Sequence, residues 1–214
     1  MREFYRHELD DLLARVINFA EIVAQAVDLA GEALLHSDPA AAQQTLSMGD
    51  DLRRHQAEVD EHALQLIVRQ QPVATDLRTV IAAMRMAADL ERMGALTIHI
   101  AEIAQGNFPE ATVPTVLSEP TSGLAKATAQ LVHRVIHTVE SRDVVAALDA
   151  DPQDDEIDRL QATLYSTLLA GDHNLGLRNA MDVALIGRYY ERIADHAVSV
   201  ARCLAFRAGE VTLD

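Results

Sequence analysis

The 214-residue sequence has no tryptophan, one cysteine, nine glycines and six prolines. A single thiol, Cys203, cannot form a disulfide within the chain, which fits a reducing compartment. Scarce glycine and proline favour helices, and the alternating pattern of a half-buried strand is absent. The charged residues 1–13 do not resemble a signal peptide, and no stretch approaches the roughly 18 apolar residues of a membrane span. We therefore expect a cytoplasmic protein without membrane insertion.

Basic residues are also scarce, because 18 Lys and Arg are opposed by 33 Asp and Glu, for a formal net charge of −15. Such a surface repels nucleic-acid phosphates and anionic membranes, and no basic stripe along the sequence offsets it. The charge predicts cations or basic protein surfaces as partners and excludes nucleic acid.

Apolar residues, 49% of the chain, recur with a helical period. In the first segment Leu9, Leu12, Val16 and Phe19 follow one another at steps of three and four. Turn signals such as Asp38, an N-cap residue before a proline, separate such segments. Helices near 30 residues would be about 45 Å long, and short turns between them predict antiparallel bundles. The predicted helices are 3–36, 38–70, 73–105, 119–149, 152–170 and 175–207.

Two phrases show an internal repeat: AADLERMGAL over 87–96 and RYYERIADHA over 188–197. Five residues recur 100 positions later with the same identity: Leu77, Arg78, Glu91, Arg92 and Ala101. The sequence thus predicts an all-α fold of two tandem three-helix bundles, with six long antiparallel helices in one elongated molecule. The two repeats would be 1–107 and 108–214.

The second repeat contains a candidate metal site. Glu191 and Asp195 lie four positions apart on one helix face, as Asp154 and Asp158 do on the preceding helix. Four converging carboxylates repel each other unless a cation compensates, and an all-oxygen site suits magnesium, manganese, calcium or ferric iron. The alternative is a solvated face, in which Arg188 and Arg192 form ordinary surface ion pairs with the acids. The helix dipole would then favour the acids of the first turn, Asp154, Asp155 and Glu156.

The first repeat departs from this pattern. Glu91 is followed four positions later by alanine, and Gly49 and Arg53 stand where the partner helix should carry acids. Arg53 could pair with Glu91 in place of a metal ion. We expect the first repeat to bind metal weakly or not at all, unless Asp50 or Asp51 substitutes through a local shift.

Enzyme sites find little support. His133 and His137 have a spacing that can hold a metal ion, yet they lack the His-Glu-x-x-His pattern, and chance surface placement explains them and the pair His55 and His62 better. No histidine has a glutamate three residues before it, which excludes a ferritin-like di-metal oxidase. Cys203 lies in an apolar helical stretch and is expected in the core. No glycine-rich phosphate loop is present.

Arg78 and Arg178 recur at the start of the third helix of each repeat. They would either face an anion or partner near a helix N-terminus, or form ion pairs within the bundle. We favour the packing interpretation.

Three segments resemble PhoU-type phosphate signalling regulators: QQPVATDLRTVIAAMRMAADLERMG over 70–94, RYYERIADHAVSVAR over 188–202, and the opening FYRHELDDL. The resemblance implies two three-helix bundles in the cytoplasm, often as a homodimer, that link the ATPase subunit of a phosphate ABC transporter to a sensor histidine kinase. It implies negative regulation of phosphate uptake and of the starvation response. It also implies a metal ion (Mg, Mn, Fe or Zn) on carboxylate pairs, here Asp154, Asp158, Glu191 and Asp195. The alternatives are a carboxylate-rich metal-binding protein, a metal-dependent enzyme or a generic helical adaptor.

Overall fold

The structure, a computed structural model, describes residues 2–148, 151–170 and 175–212, excluding the side chains of 2–4, 148 and 151–154. These described residues form helices and no strand, which confirms the all-α prediction. The helices are α1 (Arg2–His36), α2 (Pro39–Ser47), α3 (Gly49–Gln70), α4 (Thr75–Asn107), α5 (Thr115–Ser141), α6 (Val144–Leu148), α7 (Asp151–Leu169) and α8 (Leu177–Ala208).

The helix predicted over 38–70 is two helices. It begins as expected, with Asp38 as N-cap accepting hydrogen bonds from the backbone N of Ala40 (2.8 Å) and Ala41 (3.2 Å). The chain then departs from one continuous helix at Met48, whose N–H donates to the carbonyl of Thr45 at 3.0 Å. Gly49, a poor helix former, directly follows Met48, although one continuous helix was expected here.

The second half repeats this arrangement. The helix predicted over 119–149 starts earlier, at Thr115, and ends at Ser141, where Arg142 adopts a left-handed backbone conformation (φ 57). The short helix α6 follows before α7 begins. Each half therefore has three longer helices, as predicted, and one short helix between the first and second of them.

The two halves share one apolar core. Helices α1, α4, α8 and α5 pack in a closed ring, with α3 against α1 and α4, and α7 against α5 and α8. One cluster of buried side chains includes Phe19 and Leu90 of the first half and Leu131 and Ile193 of the second. Cys203 belongs to it, as expected. The predicted boundary between repeats falls at the start of the linker between α4 and α5, and the division into two domains stays a prediction.

Helices α4 and α8 run antiparallel and are related by an internal pseudo-two-fold axis. Asp89 on α4 accepts a hydrogen bond from Ser199 Oγ at 2.7 Å, and its Oδ1 lies 3.0 Å from His196 Nδ1. At the matching place the ring of His99 contacts the ring of Tyr189, with centroids 5.6 Å apart. Position 89 thus meets 199 and position 99 meets 189, as two repeats related by rotation would do.

Burial follows the same repeat. From 89 to 97 the order of buried, half-buried and exposed residues is the same as from 189 to 197. On the partner helices, the buried pairs Leu52 and Ile157, and Val59 and Leu164, are each separated by 105 positions. This alignment places Arg53 of α3 at the position of Asp158 in α7.

The helices differ from those that cross a bilayer. Across the described ranges, none of them combines the length and the apolar character that a membrane crossing would need.

Candidate functional site

The candidate carboxylates lie where α7 and α8 pack closely. A Cβ at Gly187 of α8 would lie 3.0 Å from Leu164 Cδ2 and 3.1 Å from Tyr165 Cε1, so glycine permits this approach. Gln161 Nε2 donates to the carbonyl of Gly187 at 3.2 Å, and Tyr165 Oη donates to that of Ala184 at 3.1 Å. These contacts fix α7 on α8 one turn before the candidate acids.

The negative charges of Asp195 and Asp158 act on the carboxyl group of Glu191. The pKa of Glu191 is raised, first by burial of its carboxyl group and next by the negative charge of Asp195, with a smaller contribution from Asp158. Arg188 opposes the shift through its charge and its hydrogen bonds. Asp195 and Asp158, both exposed, thus lie near enough to the largely buried Glu191 for their charges to act on it.

Arg188 is the direct partner of Glu191. Its Nη1 donates to both carboxylate oxygens of Glu191, whose side chain is 14% exposed, whereas that of Arg188 is 54% exposed. The ion pair considered in the sequence analysis is therefore formed. A metal ion on Glu191 would have to compete with this guanidinium for the same oxygens.

A metal site needs several ligand side chains arranged around one point. Among the side chains that the structure describes, no group of three or more His, Cys, Asp and Glu is arranged to hold one. The fourth predicted ligand, Asp154, lies within α7, but its side chain is outside the described part of the structure. The four-carboxylate metal site stays a prediction.

In the first repeat the suggested pair between Arg53 and Glu91 is not formed. Arg53 instead pairs with Asp50, three positions earlier on the same helix. The reason is local geometry, since residues three apart on a helix are neighbours and α3 begins with acids. A cation nevertheless stands at the position of Asp158, as the alignment predicted.

The histidine pairs have separate partners. His133 Nε2 lies 2.9 Å from Asp28 Oδ2 of α1, whereas His137 Nδ1 lies 3.8 Å from Glu140 Oε2 of its own helix. The histidines at 55 and 62 likewise face a glutamate side chain and a backbone carbonyl, respectively. The two histidines of each pair thus contact different groups, and the absence of a metal site at these pairs stays a prediction.

Arg78 and Arg178 join the ends of α4 and α8. Arg178 Nη2 donates to the carbonyl of Gly106 at 3.4 Å, and the guanidinium of Arg78 lies 5.8 Å from the ring centroid of Phe206. Both contacts cross the interface between the halves, in opposite directions. The ion pair expected within the bundle is formed by Arg178, with Asp182 at 4.0 Å, whereas Arg78 makes the ring contact with Phe206.

Sequence comparison identifies a family. The PhoU domain matches residues 16–104 and again residues 121–204. The chain is 34% identical over 208 residues to a phosphate-specific transport system accessory protein, PhoU homolog 1, from Mycobacterium leprae, covering 97% of this chain and 94% of the relative. It is 30% identical to the PhoU homolog of Deinococcus radiodurans, covering 94% of each.

Structure comparison agrees on the fold. The crystal structure of PhoU from Pseudomonas aeruginosa superposes with a TM-score of 0.91 at 23% identity, over 97% of this chain and 100% of that one. The phosphate transport system regulatory protein PhoU from Streptococcus pneumoniae gives 0.88 at 21% identity, over 98% and 99%. At these identities the likeness concerns the fold.

Proposed function

Because the chain belongs to the PhoU family, we propose that it is an accessory protein of a phosphate-specific transport system. In this role it restrains phosphate uptake through the ABC transporter when phosphate is plentiful. It also signals phosphate sufficiency to a sensor histidine kinase, which keeps the starvation response off. It acts in the cytoplasm, as a homodimer.

One observation carries the proposal: the family domain matches both halves of the chain, and curated relatives named as phosphate-specific transport accessory proteins align with nearly its whole length. The duplicated phrases around Glu91 and Glu191 lie within the two matched stretches. The two recurring segments therefore belong to the family pattern and not to chance similarity between alanine-rich helices.

Regulation would proceed by protein contact rather than by catalysis. The family consists of accessory proteins, and the acid, histidine and cysteine groups described above serve ion pairs, helix contacts or the core. The partners are the ATPase subunit of the transporter and the kinase.

Deletion of the gene tests the proposal. Cells lacking it should take up more phosphate and express starvation genes in phosphate-rich medium, and the intact gene should reverse both effects. A pull-down with the full-length chain should recover the ATPase subunit or the kinase. Unchanged uptake and expression, with neither partner recovered at high or low phosphate, would contradict the role.

We also propose that the second repeat binds one metal ion (Mg, Mn, Fe or Zn) through Asp154, Asp158, Glu191 and Asp195. The raised pKa of Glu191 supports it, because negative charges crowd there and a cation would relieve the repulsion. When bound, the ion would neutralise these acids and stiffen the contact between α7 and α8.

Calorimetric titration with Mn²⁺ tests the metal proposal on matched variants. Glu191→Gln should abolish binding, whereas Glu91→Gln in the first repeat should leave it unchanged. Arg188→Gln should strengthen binding, because the guanidinium no longer competes for Glu191. Equal loss in both glutamate variants, or no binding in the Arg188 variant, would overturn the assignment.

A further inference from the structure

Exposed positive charge is concentrated on α4 and α8, although the chain as a whole is strongly acidic. Seven exposed arginines lie on these two helices, against two exposed acids, Glu102 and Asp195. The whole chain has nearly twice as many acids as bases. These helices also carry five half-buried acids, so the excess of arginine concerns the exposed side chains, which the fold gathers although they are spread along the chain.

Helix geometry aligns these arginines. Arg78, Arg85 and Arg92 follow at steps of seven, about two turns, so they share one face of α4. On α8, Arg178 and Arg192 are separated by two such steps and also share one helix face. Because α8 is antiparallel to α4, this second row runs in the opposite direction. The two rows approach each other at the middle of the helix pair.

Along α4 and α8, Arg92 and Arg192 are the arginines nearest the middle of the contact between the two helices. Arg92 falls between the α4 positions 89 and 99, and Arg192 between the α8 positions 189 and 199, which are the residues whose side chains meet across the interface. The repeat therefore presents the same guanidinium twice, on either side of one axis.

Arg92 and Arg192 differ from nearby arginines in their hydrogen-bond and ion-pair partners. Arg188 is held by Glu191 and Arg178 by Asp182. Neither Arg92 nor Arg192, both exposed, has a hydrogen-bond or ion-pair partner among the residues that the structure describes. Two unengaged guanidinium groups at the centre of an arginine-rich face offer ten N–H donors for planar acceptors.

We propose that Arg92 and Arg192 form the centre of a docking surface for an acidic patch on a protein partner. The inference rests on the proposed function and specifies the surface through which it is exerted. Carboxylates match the guanidinium fork, and paired hydrogen bonds fix orientation as well as affinity. A protein with a net charge of −15 repels a long polyanion such as nucleic acid, yet two local cations can hold a few carboxylates on a folded surface.

Binding of the full-length chain to the purified transporter ATPase subunit, and to the cytoplasmic part of the kinase, tests this surface. Arg92→Glu and Arg192→Glu should each weaken binding to one of these partners at least about tenfold, and the double variant further. Lys126→Glu, the same charge change at an exposed site on α5, should stay within about twofold of the wild type. Unchanged circular dichroism would show that the variants remain folded.

The outcomes separate the two proposals. If the wild type binds and the arginine variants bind equally well, the docking surface is wrong and the proposed function stands. If the wild type binds neither partner, the proposed function fails and takes the docking surface with it. Binding of double-stranded DNA or inorganic phosphate that is lost in the arginine variants would replace the acidic protein as occupant. Rescue by lysine substitutions in the acidic patch of the partner would confirm the contact.

Discussion

Tyr190 carries a hydroxyl group in an unusual place. Its side chain is 1% exposed, and within the described part of the chain the hydroxyl oxygen has no hydrogen-bond partner. The first repeat has Leu90 at the matching position, also 1% exposed, so the fold accepts an apolar side chain there. Tyr190→Phe removes the polar atom and leaves the ring in place, and it should therefore stabilise the protein.

The expected gain follows from two opposing contributions. A buried polar group without a partner costs about 1–3 kcal/mol, which the substitution returns. The void left by one oxygen atom, roughly 10 Å³, costs about 0.2 kcal/mol at about 24 cal/mol per Å³. A net gain of about 1–2.5 kcal/mol corresponds to a rise in Tm of about 2–10 °C for a chain of this size.

Urea unfolding followed by circular dichroism, with calorimetry for Tm, measures the effect. Tyr165→Phe is the matched control, because its hydroxyl donates to the carbonyl of Ala184 at 3.1 Å and its loss should cost about 0.5–1.5 kcal/mol. The same substitution should thus have opposite signs at the two tyrosines. A loss of stability at Tyr190 would show that the hydroxyl is satisfied in solution and refute the reasoning.

Three further predictions concern packing and charge. Gly94→Ala should lower the free energy of unfolding in urea by about 1–3 kcal/mol, because the added Cβ would lie 2.8 Å from a leucine methyl group. Gly31→Ala, in open space within α1, should raise it by about 0.5–1 kcal/mol. Asp89→Ala should cost about 1–3 kcal/mol by leaving half-buried donors of α8 unpaired, and an unchanged midpoint would show that the contact contributes nothing. The raised pKa of Glu191 means that its contribution to stability falls as pH rises from the ordinary value of 4.5 through the folded value. Asp195→Asn should lower this pKa in an NMR titration and flatten that pH dependence; an unchanged pKa would exclude the charge of Asp195 as a cause.

The helices were predictable because their information is local. Apolar residues at steps of three and four, and turn signals such as Asp38 before a proline, placed the ends of the longer helices within a few residues, except that the helix predicted to end at 149 ends at Ser141. The breaks at Met48 and Arg142 lay inside predicted helices although each is followed by a weak signal, Gly49 after the first and Asp143, whose Oδ1 accepts a hydrogen bond from the N–H of Ala146, after the second. Tertiary packing of α2 and α6 against neighbouring helices decides them.

The candidate site was predictable only in part. The spacing of Glu191 and Asp195 showed that they share a helix face, and the repeat suggested that α7 would bring Asp158 near. Spacing could not show that Arg188 takes both oxygens of Glu191, because several acids lie within its reach. The network of Asp89 with α8 gave no signal at all, since its partners lie more than 100 positions away in the chain.

The pseudo-two-fold contact between α4 and α8 has an evolutionary consequence. In a symmetric homodimer every substitution appears on both sides of the axis, so the interface cannot be tailored on one side alone. Here the two sides are encoded separately in one gene, and they already differ: Asp89 meets Ser199 on one side, where His99 meets Tyr189 on the other. Fusion of the two copies thus permits one half to specialise while the other preserves the shared architecture.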